Sequence, residues 1–217
     1  MLHENIVIRD EIKILKDAYE QDPKFKKQMQ SLIRKFKKLK YYKINPSGTD
    51  RGMGLYVHTD KDVYDLGVYQ ISLISTQRGH NGCVYVGEGR VRNRYGRFLK
   101  GTLDKNRYDE FHSAGKYLAD FKIPTEYLNT LLYARSLSLL EIEPFFQYSY
   151  DNEKITFFDD IEFSEFKFKS KLKFTEWLII NEYKPIANVN GKDNNINSKV
   201  DIETRQTFES IKSELNV

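Results

Sequence analysis

Cysteine is almost absent from this chain: Cys83 is the single one in 217 residues. An intramolecular disulfide is therefore impossible, and a zinc site built on several thiolates is excluded. A lone thiol fits a reducing, cytoplasmic setting. No apolar run reaches the ~18 residues that a membrane-spanning helix needs. The first residues, MLHENIVIRDEIK, carry no basic stretch followed by an apolar one, so no secretory signal is expected. Charge of one sign is missing in two places. No acid lies between Asp22 and Asp50, and Lys154 is the one base between Glu141 and Glu165, where eight acids stand.

The residues that are present describe a globular chain. Hydrophobic residues make up 40% and aromatic residues 14%, too many for a disordered polymer. The net charge of +4 decides nothing by itself, because its distribution matters more than its total. Residues 7–42 read as two helices. Asp22 is a candidate N-cap with Pro23 in the first turn, and Phe25, Met29, Leu32, Phe36 and Leu39 then recur on one face. Lys26, Lys27, Arg34, Lys37 and Lys38 occupy the remaining positions. With no compensating acid they are expected to face a polyanion; the alternative is a solvated basic face. The acidic stretch 141–165 is expected to lie away from any such partner.

A turn-rich linker at 44–54 suggests three parts: a basic helical extension over 1–54, a main domain over 55–191, and a polar tail over 192–217. Within the main domain, GVYQISLIS and GCVYVG read as two paired strands. Alternation across an antiparallel pair places the Tyr69 and Tyr85 phenols on one face. A helix is expected to begin near Gly89, with Arg90, Arg94 and Arg97 on one face and Val91, Tyr95 and Phe98 on the other. Guanidinium groups there suit a phosphate diester, whose oxygens match their planar donors. LLYARSLSLL, from residue 131, is a candidate strand. A last helix over about 171–183 stops before Pro185. Its apolar residues Phe174, Trp177, Leu178, Ile179 and Ile180 surround Glu176, a carboxylate that is costly to bury unless paired or bound to a metal. Asn188 follows it by twelve residues.

Taken in order, these segments resemble the GIY-YIG nucleases. GVY at 67–69 is similar to the first signature element and VYVG at 84–87 to the second. The Arg-bearing segment and EWLIINEYKPIAN match the other two. The resemblance covers roughly 66–190 and implies an α+β fold with a small mixed or antiparallel sheet flanked by helices. It also implies hydrolysis of a nucleic-acid phosphodiester with one divalent metal, Mg²⁺ or Mn²⁺. By the resemblance, Tyr69 is the general base or water-positioning phenol and Tyr85 its partner. Arg94 is the electrophilic residue, Glu176 the metal ligand, and Asn188 an amide that orients phosphate or water. Arg90 and Arg92 would contact DNA, as would Lys26, Lys27, Arg34, Lys37 and Lys38, which makes 1–54 a DNA-contacting arm.

Arg94 stands one residue short of the commonest family spacing, which leaves Arg92 or Arg97 as alternatives. Glu88, directly after VYVG, is a second acid without an obvious role. The long interval before Glu176 implies an insertion between about 100 and 168, with His112 inside it as a further candidate for the site. A phenol is a poor base at neutral pH unless a cation lowers its pKa, and Arg94 with a metal on Glu176 would be that cation. The expected function is a sequence-specific DNA endonuclease of restriction or phage type. It would act on duplex DNA in a bacterial cell or phage-infected host, as a dimer because one site cuts one strand. The alternative is a catalytically inactive nucleic-acid-binding module of the same fold.

Overall fold

The computed structural model describes residues 2–43, 66–74, 81–90, 132–146 and 165–185, together with Val91, Arg94, Tyr95, Phe98, Asn188, Gln206, Glu209, Ser210 and Ser213. Its elements are α1 (Leu2–Gln21), α2 (Pro23–Lys37), β1 (Tyr42–Lys43), β2 (Leu66–Ile74), β3 (Asn81–Arg90), β4 (Leu132–Ser138), α3 (Leu139–Ile142), a 3-10 turn (Glu143–Phe146) and α4 (Glu165–Tyr183). This is an α+β fold. The sheet runs β1-β4-β2-β3, and every pairing among these strands is antiparallel. No helix of the described residues is long and apolar enough to cross a membrane.

α2 starts where its sequence says it should. Asp22 is in extended backbone, and its Oδ1 accepts the Lys24 amide at 2.9 Å; Pro23 sits in the first turn, where no amide is needed. Phe25, Met29, Leu32 and Phe36 are buried as their spacing predicts, and Leu39 is half-buried. Asp22→Ala should cost about 1 kcal/mol and lower the thermal midpoint by about 2–4 °C, as read by calorimetry.

The apolar face of α2 joins a core that also takes Leu15 from α1, Val68, Val86 and Leu137 from one face of the sheet, and Phe174 and Leu178 from α4. β1, directly after α2, pairs with β4. The helices of the expected N-terminal extension thus belong to the same body as the sheet, because their buried faces need the cover that α4 and the strands provide. The boundary expected at 44–54 lies outside the described residues.

Within the 100–168 interval, Leu132–Ser138 form β4, the strand between β1 and β2, as the candidate strand from residue 131 anticipates. LLYARSLSLL is strand only to Ser138. There the Ser138 amide and hydroxyl both donate to Glu141 Oε2, at 3.0 and 2.8 Å, and the chain turns into α3. α4 begins at Glu165, earlier than expected, and ends with Lys184 at φ 48°, whose amide donates to Ile180 O at 2.7 Å before Pro185. In the tail, Gln206, Glu209, Ser210 and Ser213 are helical and exposed.

One cation is built into the core. Arg135 of β4 is buried. Its Nε donates to Gln70 Oε1 at 2.9 Å and its Nη1 to Lys37 O at 3.1 Å. Its guanidinium lies 4.3 Å from the Tyr41 ring centre, 4.8 Å from that of Phe36 and 5.0 Å from that of Tyr183. Gln70 passes the chain of bonds on to Ser72 Oγ at 2.9 Å. α2 and α4 end beside this arginine, at Lys37 and Tyr183. The carbonyl ends of helices carry partial negative charge, which suits a cation there.

Candidate active site

The Tyr pair depends on an irregularity of the sheet. Tyr69 stands opposite Gly87, and Ile71 opposite Tyr85, but Ser72 stands opposite Cys83. One extra residue, Val84, is therefore accommodated in β3 as a bulge. Cys83 shares the sheet face of Gln70 and Ser72, while Tyr85, two residues on, lies on the face of Tyr69. Without the bulge, alternation would send Tyr85 into the core beside Cys83. The Tyr69 and Tyr85 rings are 6.0 Å apart, centre to centre, and Tyr95 lies edge-on to Tyr69 at 5.1 Å. The Tyr95 hydroxyl donates to Arg135 O at 3.4 Å.

Gly87 makes room for this group. A Cβ on it would lie 2.5 Å from Tyr85 Cε1 and 2.6 Å from the Tyr69 hydroxyl. Gly87→Ala should therefore displace one ring or the other and cost about 1–3 kcal/mol. Urea unfolding with near-UV dichroism checks it: a shifted midpoint together with an altered tyrosine band is the expected result.

The strand ends differently from expectation. Arg90 is the last residue of β3 and not part of a helical face, and Gly89 takes φ +118°. Glycine adopts that conformation freely and other residues rarely do. Helical residues follow at Val91, Arg94, Tyr95 and Phe98, of which Val91, Tyr95 and Phe98 are buried and Arg94 is exposed, as the spacing predicts. A Cβ at Gly89 would be 3.5 Å from Arg94 Nε, so the arginine side chain lies against the bare backbone of the strand end. Arg92, Arg97 and His112 lie outside the described residues.

Tyr69 is fully buried, and burial pushes its phenol well above the ordinary value of 10.0. Tyr85, Tyr95 and Glu176 push the same way. Arg94 pulls it down but is outweighed. The motif calls for a phenol activated by cations; burial instead keeps Tyr69 protonated, which favours the water-positioning role over the base. Tyr85 is less buried and is the outer phenol of the pair.

Glu176 projects from α4 into the same neighbourhood. Burial first, and then the nearby Glu88 carboxylate, raise its pKa to about 7, against the opposing pull of Lys173 and Arg94. Glu88, unexplained from sequence, is thus the second acid beside Glu176, and Lys173 pairs with it at 3.5 Å. Lys173 was not singled out from sequence; its position one turn before Glu176 on the helix was the available signal. Two neighbouring carboxylates, one of them held protonated by burial up to a pH of about 7, suit a hard divalent ion. Mg²⁺ takes one or two carboxylates and completes its shell with water and phosphate oxygens. The donor set fits such an ion, with Glu176 as the protein ligand. Among the described residues no group of three or more His, Cys, Asp or Glu side chains forms a closed cage.

Asn188 is placed differently from the amide the motif implies. Its Oδ1 accepts the Val86 amide at 2.9 Å, and its Nδ2 donates to Val86 O at 2.6 Å. The carbonyl oxygen and one amide hydrogen are taken up by β3, so Asn188 fixes the strand that carries Tyr85. Of the basic residues assigned to DNA, Arg90 is exposed at the strand end, and Lys26, Lys27, Arg34, Lys37 and Lys38 are exposed on or just beyond α2. Lys37 is ion-paired with Glu182. Compared with protein-family models, with curated proteins and with solved structures, the chain matches none.

Proposed function

We propose that this chain is a metal-dependent endonuclease that hydrolyses DNA phosphodiester bonds, sequence-specific and of restriction or phage type, with GIY-YIG-like chemistry. The observation that carries the reading is convergence. Tyr69 from β2, Tyr85 from β3, Arg94 from the helical residues after β3 and Glu176 from α4 act on one another across separate elements. An aromatic pair, a guanidinium and a carboxylate gathered in this way are groups that phosphodiester hydrolysis can use.

In this reading Tyr85 orients the attacking water, and Tyr69, protonated, holds the ring and hydrogen-bond pattern behind it. Arg94 sets positive charge against the phosphoryl oxygens as negative charge builds up in the transition state. Glu176 would hold Mg²⁺, which when bound supplies Lewis acidity at the phosphate. Water adds to phosphorus, the bond to the leaving sugar oxygen breaks, and the proton lost by water passes to solvent or to the leaving oxygen. One such site cuts one strand, so duplex cleavage requires two copies or two successive events.

The test is incubation with a long, sequence-diverse duplex, with and without Mg²⁺, beside Glu176→Ala. Discrete fragments that need both Mg²⁺ and Glu176 support the reading, and a smear removes the sequence specificity. Binding without cleavage in every lane would replace it with the inactive nucleic-acid-binding module.

A further inference from the structure

We propose that Lys27, Arg34 and Lys38 form a ridge along α2 that contacts the phosphate backbone of duplex DNA. The inference rests on the reading that DNA is the partner, but not on hydrolysis. Nine basic residues and no acidic one lie between 23 and 49. What separates the six from Lys26 to Lys38 is where each one is engaged. Lys35 pairs with Glu141 of α3 at 3.5 Å, Lys37 pairs with Glu182 of α4, and Lys26 lies over the Tyr19 ring at 5.6 Å. These three flanking cations are used within the molecule.

Lys27, Arg34 and Lys38 are a different set. At ~100° per residue, positions 34 and 38 fall about 20° to either side of position 27 in projection, so the three make one narrow row. All three are exposed. Ser31 stands in the same row. Its hydroxyl donates to Lys27 O at 3.0 Å and accepts from Arg34 Nη2 at 2.7 Å, which holds the guanidinium along the ridge. The row spans about 16 Å of helix, a length over which a duplex presents several phosphates.

The chemistry of the ridge selects among polyanions. A helix that lies on a lipid surface needs apolar side chains to insert beside its cations. Here Phe25, Met29, Leu32, Ile33 and Phe36 all point into the core, so the ridge offers charge and hydrogen-bond donors alone. That is the pattern of a contact to phosphates that positions a duplex without reading its bases. Glu141 and Glu182 neutralise two of the flanking cations and leave the crest positive.

The test is binding of a labelled duplex over a salt series in chelator, where no metal-dependent cutting occurs. The proteins compared are the parent, the triple variant Lys27→Gln/Arg34→Gln/Lys38→Gln, and the double variant Lys35→Gln/Lys37→Gln. Each phosphate contact contributes about 0.9 to the slope of log affinity against log salt, so the triple variant should flatten it by about 2.7. The double variant should change it by less than about 0.9. Circular dichroism confirms that each variant is folded. A parental slope in the triple variant, equal flattening in both, or no binding by the parent at low salt would overturn the proposal. So would a ridge needed for sedimentation with anionic vesicles but not for DNA. DNA bound through the ridge yet never cut in Mg²⁺ would remove the hydrolase reading and leave this one standing.

Discussion

On the proposed nuclease reading, Glu176→Gln should lower DNA cleavage by about 10³-fold or more and at the same time make the protein more stable at neutral pH. The two effects have one cause. The folded protein keeps the Glu176 proton up to a pH of about 7, whereas the unfolded chain gives it up near the ordinary 4.5. Between those values the folded state binds more protons, so stability falls as pH rises through the window. Below 4.5 the carboxyl is neutral in both states and carries no penalty; above 7 the whole penalty is present. It amounts to at most about 3 kcal/mol. Glutamine has no charge to bury, so the gap in thermal midpoint between variant and parent should open from pH 4.5 to 7 and then stay constant.

Activity should follow the same proton in the opposite sense, because only the carboxylate binds a metal. Cleavage should rise with pH through an acidic limb near 7, and added Mg²⁺ should move that limb to lower pH by competing with the proton. A limb that ignores Mg²⁺, or a glutamine variant that cuts at the parental rate, would separate Glu176 from the metal.

Arg135→Ala should be the most damaging single change to stability, costing about 3–5 kcal/mol and lowering the thermal midpoint by on the order of 10 °C. It removes the donors to Gln70 Oε1 and Lys37 O and opens a hole between the rings of Phe36, Tyr41 and Tyr183. Buried acceptors left without a donor carry their full desolvation cost. Arg135→Lys keeps the charge but cannot fork toward both acceptors, so it should recover only part of the loss. Arg135→Met fills the space without the hydrogen bonds and should fall between alanine and the parent. Urea unfolding of the three variants gives the order, and a loss under about 1 kcal/mol for alanine would show that neighbouring groups close the gap unaided.

The sequence made visible what local rules govern. The Asp22 cap, the buried face of α2, the Tyr-bearing strands and the division of Arg94 from Val91, Tyr95 and Phe98 all follow from spacing and were legible at that level. What escaped depends on contacts between distant segments. The apolar pattern of α1 and α2 shows that a face is buried, but not against what, so the helices read as a separate arm until the shared core was seen. LYARSLS reads as strand, yet nothing local says that it lies beside β2. Nothing local marks Arg135 as buried, because its partners, Gln70, Lys37 and Tyr183, are scattered along the chain. The candidate site divides in the same way. Motif order gave Tyr69, Tyr85, Arg94 and Glu176, but the protonated state of Tyr69 and the crowding of Glu176 by Glu88 are properties of burial, which spacing does not encode.

The grip of Asn188 on Val86 has a consequence for how copies of the chain behave toward one another. β3 is the outermost strand on its side of the described sheet, and an open strand edge is a template on which another chain can add a strand. A side-chain amide carries the same donor and acceptor as a peptide unit, and Asn188 offers both to the Val86 peptide groups. At that position it acts as a one-residue substitute for a neighbouring strand. Loss of that residue would reopen the edge beside Tyr85, and the damage would appear first as self-association on a sizing column, at concentrations where the parent stays dispersed.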